Sequence, residues 1–450
     1  TQGKGKKIGV YVNYLFGVSD QKKFSDFLTL VSGFEKIKSE GDVKYISYYD
    51  DIENGGVFFN NQVAMVVLKL EGRDVDCKTI AFDLFKMKSD ESILSDKSFT
   101  DFQKNPMDIS MYINKPVITK LLDDNSELMS SRNRDINTIK QAIKYYPLGF
   151  SMNFEEDAIK FKTYPDPNQD MQSIFKDKGM SASDLKFFAP DGKPLAYMSV
   201  NMDLKKYVDL VMKMMDINNN GTASEINDGI DQITTEMGIS KDDLYTSLTG
   251  NMSVSLTGFE KKSYSYTNPY MLDEEYQPEP EIRTTTVPVF VAHATMGNSK
   301  AYDYLYTKAQ EENSVQDDII KIPTNNETQE CIYVTKKGND LMMSNKLSYL
   351  EDFKRGVSWS SLNTSCKADL ATQNPVSFYW NLQYDKYENV IDENMSSMEK
   401  SGMELVMKQM DCIAGYGNQK EGSIDILMTP KKKNALWRII EMVDEAASKF

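Results

Sequence analysis

Apolar residues alternate along three short stretches that each end on asparagine. Ile109, Met111 and Ile113 precede Asn114; Ala196, Met198 and Val200 precede Asn201; Val376, Phe378 and Trp380 precede Asn381. A period of two is that of a strand with one buried face. Beyond each asparagine the period changes to that of a helix, through Val117, Ile118, Leu121 and Leu122 in the first case, Leu204, Tyr207, Val208 and Val211 in the second, and Tyr384, Tyr387, Val390 and Ile391 in the third. The unit is strand, Asn, helix. The asparagine is expected as a cap, its side-chain oxygen accepting from a free amide of the first helical turn.

Longer patterns repeat as well. Val10 to Leu28 resembles Val289 to Leu305, each an alternating strand, a polar turn and a helix. Turn-rich hairpin candidates follow, at Asn54 to Val67 and Lys336 to Leu347. Asn105-Pro106 and Asn374-Pro375 then lead into strand-Asn-helix units, and period-two segments close the units at Phe150 to Phe161, Met252 to Leu256 and Ser423 to Leu427. Residues 8 to 165 and 287 to 430 therefore read as copies, with a partial copy at 194 to 260 between them. The expected fold is α+β: internally duplicated strand-helix units forming antiparallel sheets with helices packed on one face. Punctuation by Pro and Gly from Tyr164 to Pro194 predicts an N-terminal lobe at 1–168, a linker at 169–193 and a C-terminal lobe at 194–450. If the cycle begins with the strand-Asn-helix unit, the sequence enters it midway at Lys7, and a further unit is expected upstream of Thr1.

Composition narrows the partners. The chain has 450 residues and is 40% hydrophobic, enough for sizeable cores, and its net charge of -15 speaks against nucleic acid or an anionic bilayer as partner. Its longest basic run, Lys431 to Lys433, is expected as a solvated turn before an amphipathic C-terminal helix. No run of apolar residues is long enough to span a bilayer as a helix. Cys77, Cys331, Cys366 and Cys412 show no metal-ligand spacing and read as buried thiols, with one disulfide the alternative.

Enzymatic chemistry has few candidates. The single histidine, His293, lies in an alternating strand and reads as structural, which removes the triads that depend on a histidine base. The common nucleotide, zinc-protease and nucleophile-elbow motifs do not occur. An acid-dependent hydrolase stands as an alternative through Glu155, Glu156 and Asp157, although their place at a hairpin turn predicts a solvated acidic tip.

Two segments interrupt the repeats. The run from Asp216 to Asn227 carries oxygen side chains at calcium-loop spacing, with Asp216, Asn218, Asn220, Thr222 and Asn227 as candidate ligands around Gly221. With Asn227 where a bidentate Glu belongs, any calcium site would be weak; the competing reading is a helix-turn-helix built on Asn-Asn-Asn-Gly. The second segment, Tyr264 to Glu281, places Tyr264, Tyr266, Tyr270 and Tyr276 among carboxylates and is a candidate ligand-binding loop, with an extended hairpin or an irregular insert that binds nothing as the competing reading.

Ala81 to Asn114, Tyr146 to Ile159 and Pro194 to Tyr207 resemble an uncharacterised domain-of-unknown-function family of Bacteroidetes cell-envelope lipoproteins. The resemblance implies a periplasmic or outer-membrane-anchored protein, held by an N-terminal lipid that this chain does not carry. It brings no activity. The expected role is non-enzymatic binding or scaffolding of a protein, peptide or glycan, with the weak calcium module and the hydrolase as alternatives and no other cofactor.

Overall fold

A computed structural model describes residues 10–18, 20–30, 36–47, 55–71, 76–88, 95–104, 107–124, 143, 148–164, 173–217, 222–272, 278–325, 330–388, 390–391 and 395–449. The chain divides into two compact units, residues 1–104 with 123–128 and residues 105–122 with 129–450.

The first unit is built on strands β1 (Val10–Gly17), β2 (Lys38–Glu40), β3 (Val43–Ser47), β4 (Gly55–Phe59) and β5 (Val63–Glu71), with helices α1 (Gln21–Leu30), α2 (Cys77–Lys86) and α3 (Lys97–Gln103). Its sheet is antiparallel in the order β1-β5-β4-β3-β2. Phe58 and Phe59 are both fully buried because successive strand residues face opposite ways and each face is covered. Phe58, Met65 and Val67 pack with Ala81 and Phe82 of α2, while Val57, Phe59 and Ala64 pack with Phe24 and Leu28 of α1.

The second unit holds β6 (Ile109–Tyr112), β7 (Gly149–Glu155), β8 (Ala158–Tyr164), β9 (Ala196–Asn201), β10 (Leu248–Leu272), β11 (Pro278–Met296), β12 (Val315–Gln316), β13 (Ile319–Asn325), β14 (Glu330–Lys337), β15 (Asp340–Ser344), β16 (Val376–Asn381), β17 (Met410–Gly417) and β18 (Gly422–Met428). They form one antiparallel sheet in the order β12-β13-β14-β15-β11-β10-β9-β16-β17-β18-β8-β7-β6. The fold is α+β, as the periodicities require, and the predicted strands ending on Asn201 and Asn381 pair directly, with Met198 opposite Phe378 and Tyr197 opposite Tyr379. On the far side of the sheet β18 pairs with β8, joining Ser423 to Lys162.

Helices of this unit are α4 (Lys115–Asp124), α5 (Leu204–Ile217), α6 (Thr222–Met237), α7 (Lys241–Tyr245), α8 (Lys300–Glu311), α9 (Leu347–Arg355), α10 (Ala368–Gln373), α11 (Ser397–Met407) and α12 (Ala435–Lys449). The face that carries Met198 and Val200 receives α5 through Leu204 and Leu210, α8 through Tyr302 and Ala309, and α12 through Ala435, Ile439 and Met442. The opposite face receives α9, α10 and irregular chain. There Tyr197 and Tyr379 stack at 5.9 Å between ring centroids, beside Phe188, Leu362 and Ala371.

Several local expectations change. Residues 173–193, expected as a linker, bury Ile174, Met180, Leu185, Phe187 and Phe188 against the sheet. Gly192 belongs to this packing: its φ is +71°, and a Cβ there would meet the Ser361 carbonyl oxygen at 2.3 Å. Asn201 does not cap its helix. Its Nδ2 donates to the Lys178 and Gly179 carbonyls at 2.9 and 3.1 Å, and Asp203 accepts from the Lys206 amide instead. Asn381 does accept from the Gln383 amide, at 2.8 Å, ahead of a short 3-10 turn. All four cysteines are buried.

Candidate functional site

Residues that stand opposite one another in an antiparallel ladder share a face, so registers can be followed across the large sheet. From Met198 the row runs one way through Val254, Ala292, Met343 and Val334, and the other way through Phe378, Gly415, Ile424, Phe161, Met152 and Ile109. Every side chain in it is apolar. Helix α8 packs over β13 to β15 and α12 over part of β18, β8 and β7, while Ile424 stays 41% exposed and Ile109, the last member of the row, 53%. Over β9 and β10 the face is open: Met198 is 49% exposed and Val254 46%, as is Trp380, two residues beyond Phe378 on β16, at 48%.

Two adjoining recesses lie on this face. One, of about 340 Å3, lies over β9, β10, β11 and β15 and is lined by Met198, Val200, Met252, Val254, Ala292 and Met343. The other, of about 510 Å3, lies beneath α8, lined by Met296, Tyr302, Leu305, Ala309, Ile320 and Val334. Leu248 and Leu341 line both. The lining is mostly apolar, with Ser253 in the smaller recess and Ser247, Asn298, Ser314, Lys308, Lys321 and Glu312 in the larger one. Burial pushes the Tyr302 hydroxyl up to about 12, so it stays protonated at neutral pH. A long apolar groove edged by a few charges suits a ligand that is mostly hydrocarbon.

The opposite face holds the only histidine. His293 is 2% exposed, lies flat against Phe187 at 4.1 Å between ring centroids, and shares a 3.0 Å hydrogen bond between Nε2 and Oδ1 of Asp340. Burial pushes its pKa below the ordinary value, against the pull of Asp340. The folded protein therefore resists the proton that the unfolded chain takes up below about pH 6.5. Stability should be level above that pH and fall as pH drops through it. Urea titrations between pH 5 and 8 should show that slope, and His293→Gln should remove it; an equal slope in the variant would contradict the assignment.

The sequence-predicted sites fall elsewhere. Tyr264 to Glu281 takes the extended-hairpin alternative: β10 and β11 continue as a two-stranded arm, with Tyr264 half-buried opposite Arg283 and Tyr266 opposite Glu281. Tyr270 lies in β10, and Tyr276 lies outside the described residues. Of the calcium candidates, Asp216 is near the end of α5, Thr222 opens α6, and Asn227 is exposed on α6. Asn218 and Asn220 lie outside the described residues. Among the described residues no cluster of three or more His, Cys, Asp or Glu could hold a metal ion.

The acidic trio sits at the β7–β8 turn as expected, but not as a free tip. Glu155 pairs with Lys160 at 2.7 Å and Asp157 with Arg438 at 2.8 Å. No helix among the described residues is long and apolar enough to cross a membrane. Comparison with family models, with curated proteins and with solved structures gives no match.

The groove carried one sequence signal. The residues before each asparagine alternate, but the intervening positions Tyr197, Ser199, Ser377 and Tyr379 turned out to face the tightest core, where Ser199 and Ser377 share a 2.7 Å hydrogen bond. Both faces of β9 and β16 are therefore apolar enough to pack, and the alternation does not tell which of them a helix covers.

Proposed function

We propose that this is a non-enzymatic binding protein whose open sheet face takes a ligand with an extended apolar part, of the acyl-chain type. The observation that supports it is the exposed apolar surface over β9 and β10, recessed into two adjoining pockets that share Leu248 and Leu341 as lining. Each methylene buried there contributes about 0.8 kcal/mol, so a chain of eight or more carries useful affinity without a polar anchor. Lys308 and Lys321 offer a cationic margin for a carboxylate or phosphate head. A cell-envelope location, implied by the lipoprotein resemblance, is part of the same proposal.

Dodecanoate and hexadecanoate titrated into the protein with an environment-sensitive fluorophore should displace the dye at saturable, near-equal stoichiometry. Val254→Asp, at a position 46% exposed in the recess, should weaken binding at least tenfold. Ile282→Asp, on the arm at 78% exposure, should leave it unchanged. Displacement that does not saturate, or equal affinity in both variants, would sink the proposal.

A further inference from the structure

Leu341 and Met343 of β15 line the apolar recesses, so Asp340 and Met342 belong to the other face of the sheet. There the β14–β15 hairpin carries an opposed pair of charges. Lys337 and Asp340 are register partners flanking Gly338 and Asn339, with Gly338 at a φ of +63° in the tight turn. Opposite charges placed this way normally bond each other. Among the described residues these two form no ion pair together, because each is held by a different element. The Lys337 ammonium donates to the Lys354 and Phe353 carbonyls at 3.1 and 3.5 Å, at the C-terminal end of α9. Asp340 Oδ1 is bound to His293 Nε2, and its Oδ2 has no partner among the described residues.

Both side chains line a recess of about 310 Å3. Its apolar wall is Phe187, Met342, Phe353 and Trp359, all buried. Lys186 stands at the same recess with its ammonium over the Phe187 ring, 4.9 Å from the centroid, and it has no carboxylate partner among the described residues although acids outnumber bases 67 to 52. Trp359 is 8% exposed, and its Nε1 has no acceptor among the described residues, a buried donor left uncompensated. Lys337 is partly neutralised by the helix end it caps, so the recess presents one full positive charge, from Lys186, and one negative charge, from Asp340.

We propose that this recess binds a free α-amino acid with an apolar side chain, its carboxylate at the Lys186 ammonium, its own ammonium at Asp340, and its side chain on the wall of Phe187, Met342, Phe353 and Trp359. A simple inorganic anion would leave that wall unused and would be repelled by Asp340. A plain acyl chain would desolvate Asp340 without giving it a partner. The volume is at the small end of ligand pockets. No residue lines both this recess and the two apolar ones, so the site stands apart from the acyl-chain reading.

Isothermal titration with L-phenylalanine, 3-phenylpropionate and 2-phenylethylamine tests the assignment. The amino acid should bind saturably at one per chain, and the two probes, which lack its ammonium and its carboxylate respectively, should each bind at least tenfold more weakly. Lys186→Met and Asp340→Asn should each weaken L-phenylalanine at least tenfold. Both variants should fold, since Lys186 is exposed and Asn at 340 can still accept from His293. Asp340→Asn should erase the preference over 3-phenylpropionate, and Lys186→Met the preference over 2-phenylethylamine. Val254→Asp, on the other face, should leave L-phenylalanine binding unchanged. No saturable binding, equal affinity for 3-phenylpropionate, or undiminished affinity in Lys186→Met would overturn the assignment. So would loss of L-phenylalanine binding in Val254→Asp, since the amino acid would then occupy the apolar recesses.

Discussion

Phe188→Ala should cost about 3–5 kcal/mol of folding stability, the range for emptying a large aromatic site in a packed core. Phe188 is fully buried. Its ring meets Tyr197 edge-on at 4.9 Å, Tyr197 stacks on Tyr379, and the Tyr197 hydroxyl donates to the Lys367 carbonyl at 2.9 Å. The Phe188 carbonyl also accepts from Ser255 Oγ, so a cavity here loosens the chain that covers β9, β10 and β16 together. Burial pushes both tyrosine hydroxyls up, and neither ionises near neutrality to relieve the loss. Trp380→Ala, on the open face at 48% exposure, should cost far less. Urea unfolding followed by tyrosine and tryptophan fluorescence separates the two. If Phe188→Ala costs no more than Trp380→Ala, the segment that carries it is a linker after all.

Arg438→Ala should be nearly as damaging, at about 3 kcal/mol or more, because the guanidinium is 1% exposed and serves five acceptors. It donates to Asp157 Oδ1 at 2.8 Å, to the Thr429 and Gln409 carbonyls, and to the Gln409 and Thr429 side chains. Asp157 also accepts from the Lys431 and Lys432 amides at 2.8 and 2.7 Å, which fixes the turn that starts α12. Burial raises the Asp157 carboxyl, but the amides and Arg438 outweigh it and hold it below its usual value. Its contribution is thus complete above about pH 4 and disappears as pH falls through the lowered folded value. In Arg438→Ala the C-terminal helix should exchange its amides ahead of global unfolding. Arg438→Met combined with Asp157→Asn should recover part of the loss, since removing both charges strands neither. An unchanged melting profile and intact helix protection in Arg438→Ala would refute the clamp.

How legible these features were in the sequence depended on their range. Alternation of Met198, Val200, Phe378 and Trp380 with small or polar residues sufficed for strands, because period two is a local property. The copies were legible too, since Val10 to Leu28 and Val289 to Leu305 meet the same register constraints in their two sheets. The acidic tip at Asp157 was misread because its partner lies 281 residues away, and nothing near Asp157 announces Arg438. Pro190, Gly192 and Pro194 punctuate like a linker, yet Gly192 is there for its close approach to Ser361. Pro269, Pro278 and Pro280 left the tyrosine-rich segment between a hairpin and an irregular insert; the arm carries them near its tip, where the β10–β11 register is irregular. The groove itself was hidden, because alternation says that a face is apolar and not whether a helix lands on it.

The junction of β18 with β8 sets the order in which the molecule can be completed. Lys162 leaves the ribosome long before Ser423, so β8 must wait, its edge bare, while most of the remaining chain is made. Translation speed and chaperone supply should therefore govern the yield of native protein more than the stability of either half. A nascent chain halted before β18 would present a row of unsatisfied amides beside Ile159 and Phe161, the part of the protein most prone to aggregate during synthesis.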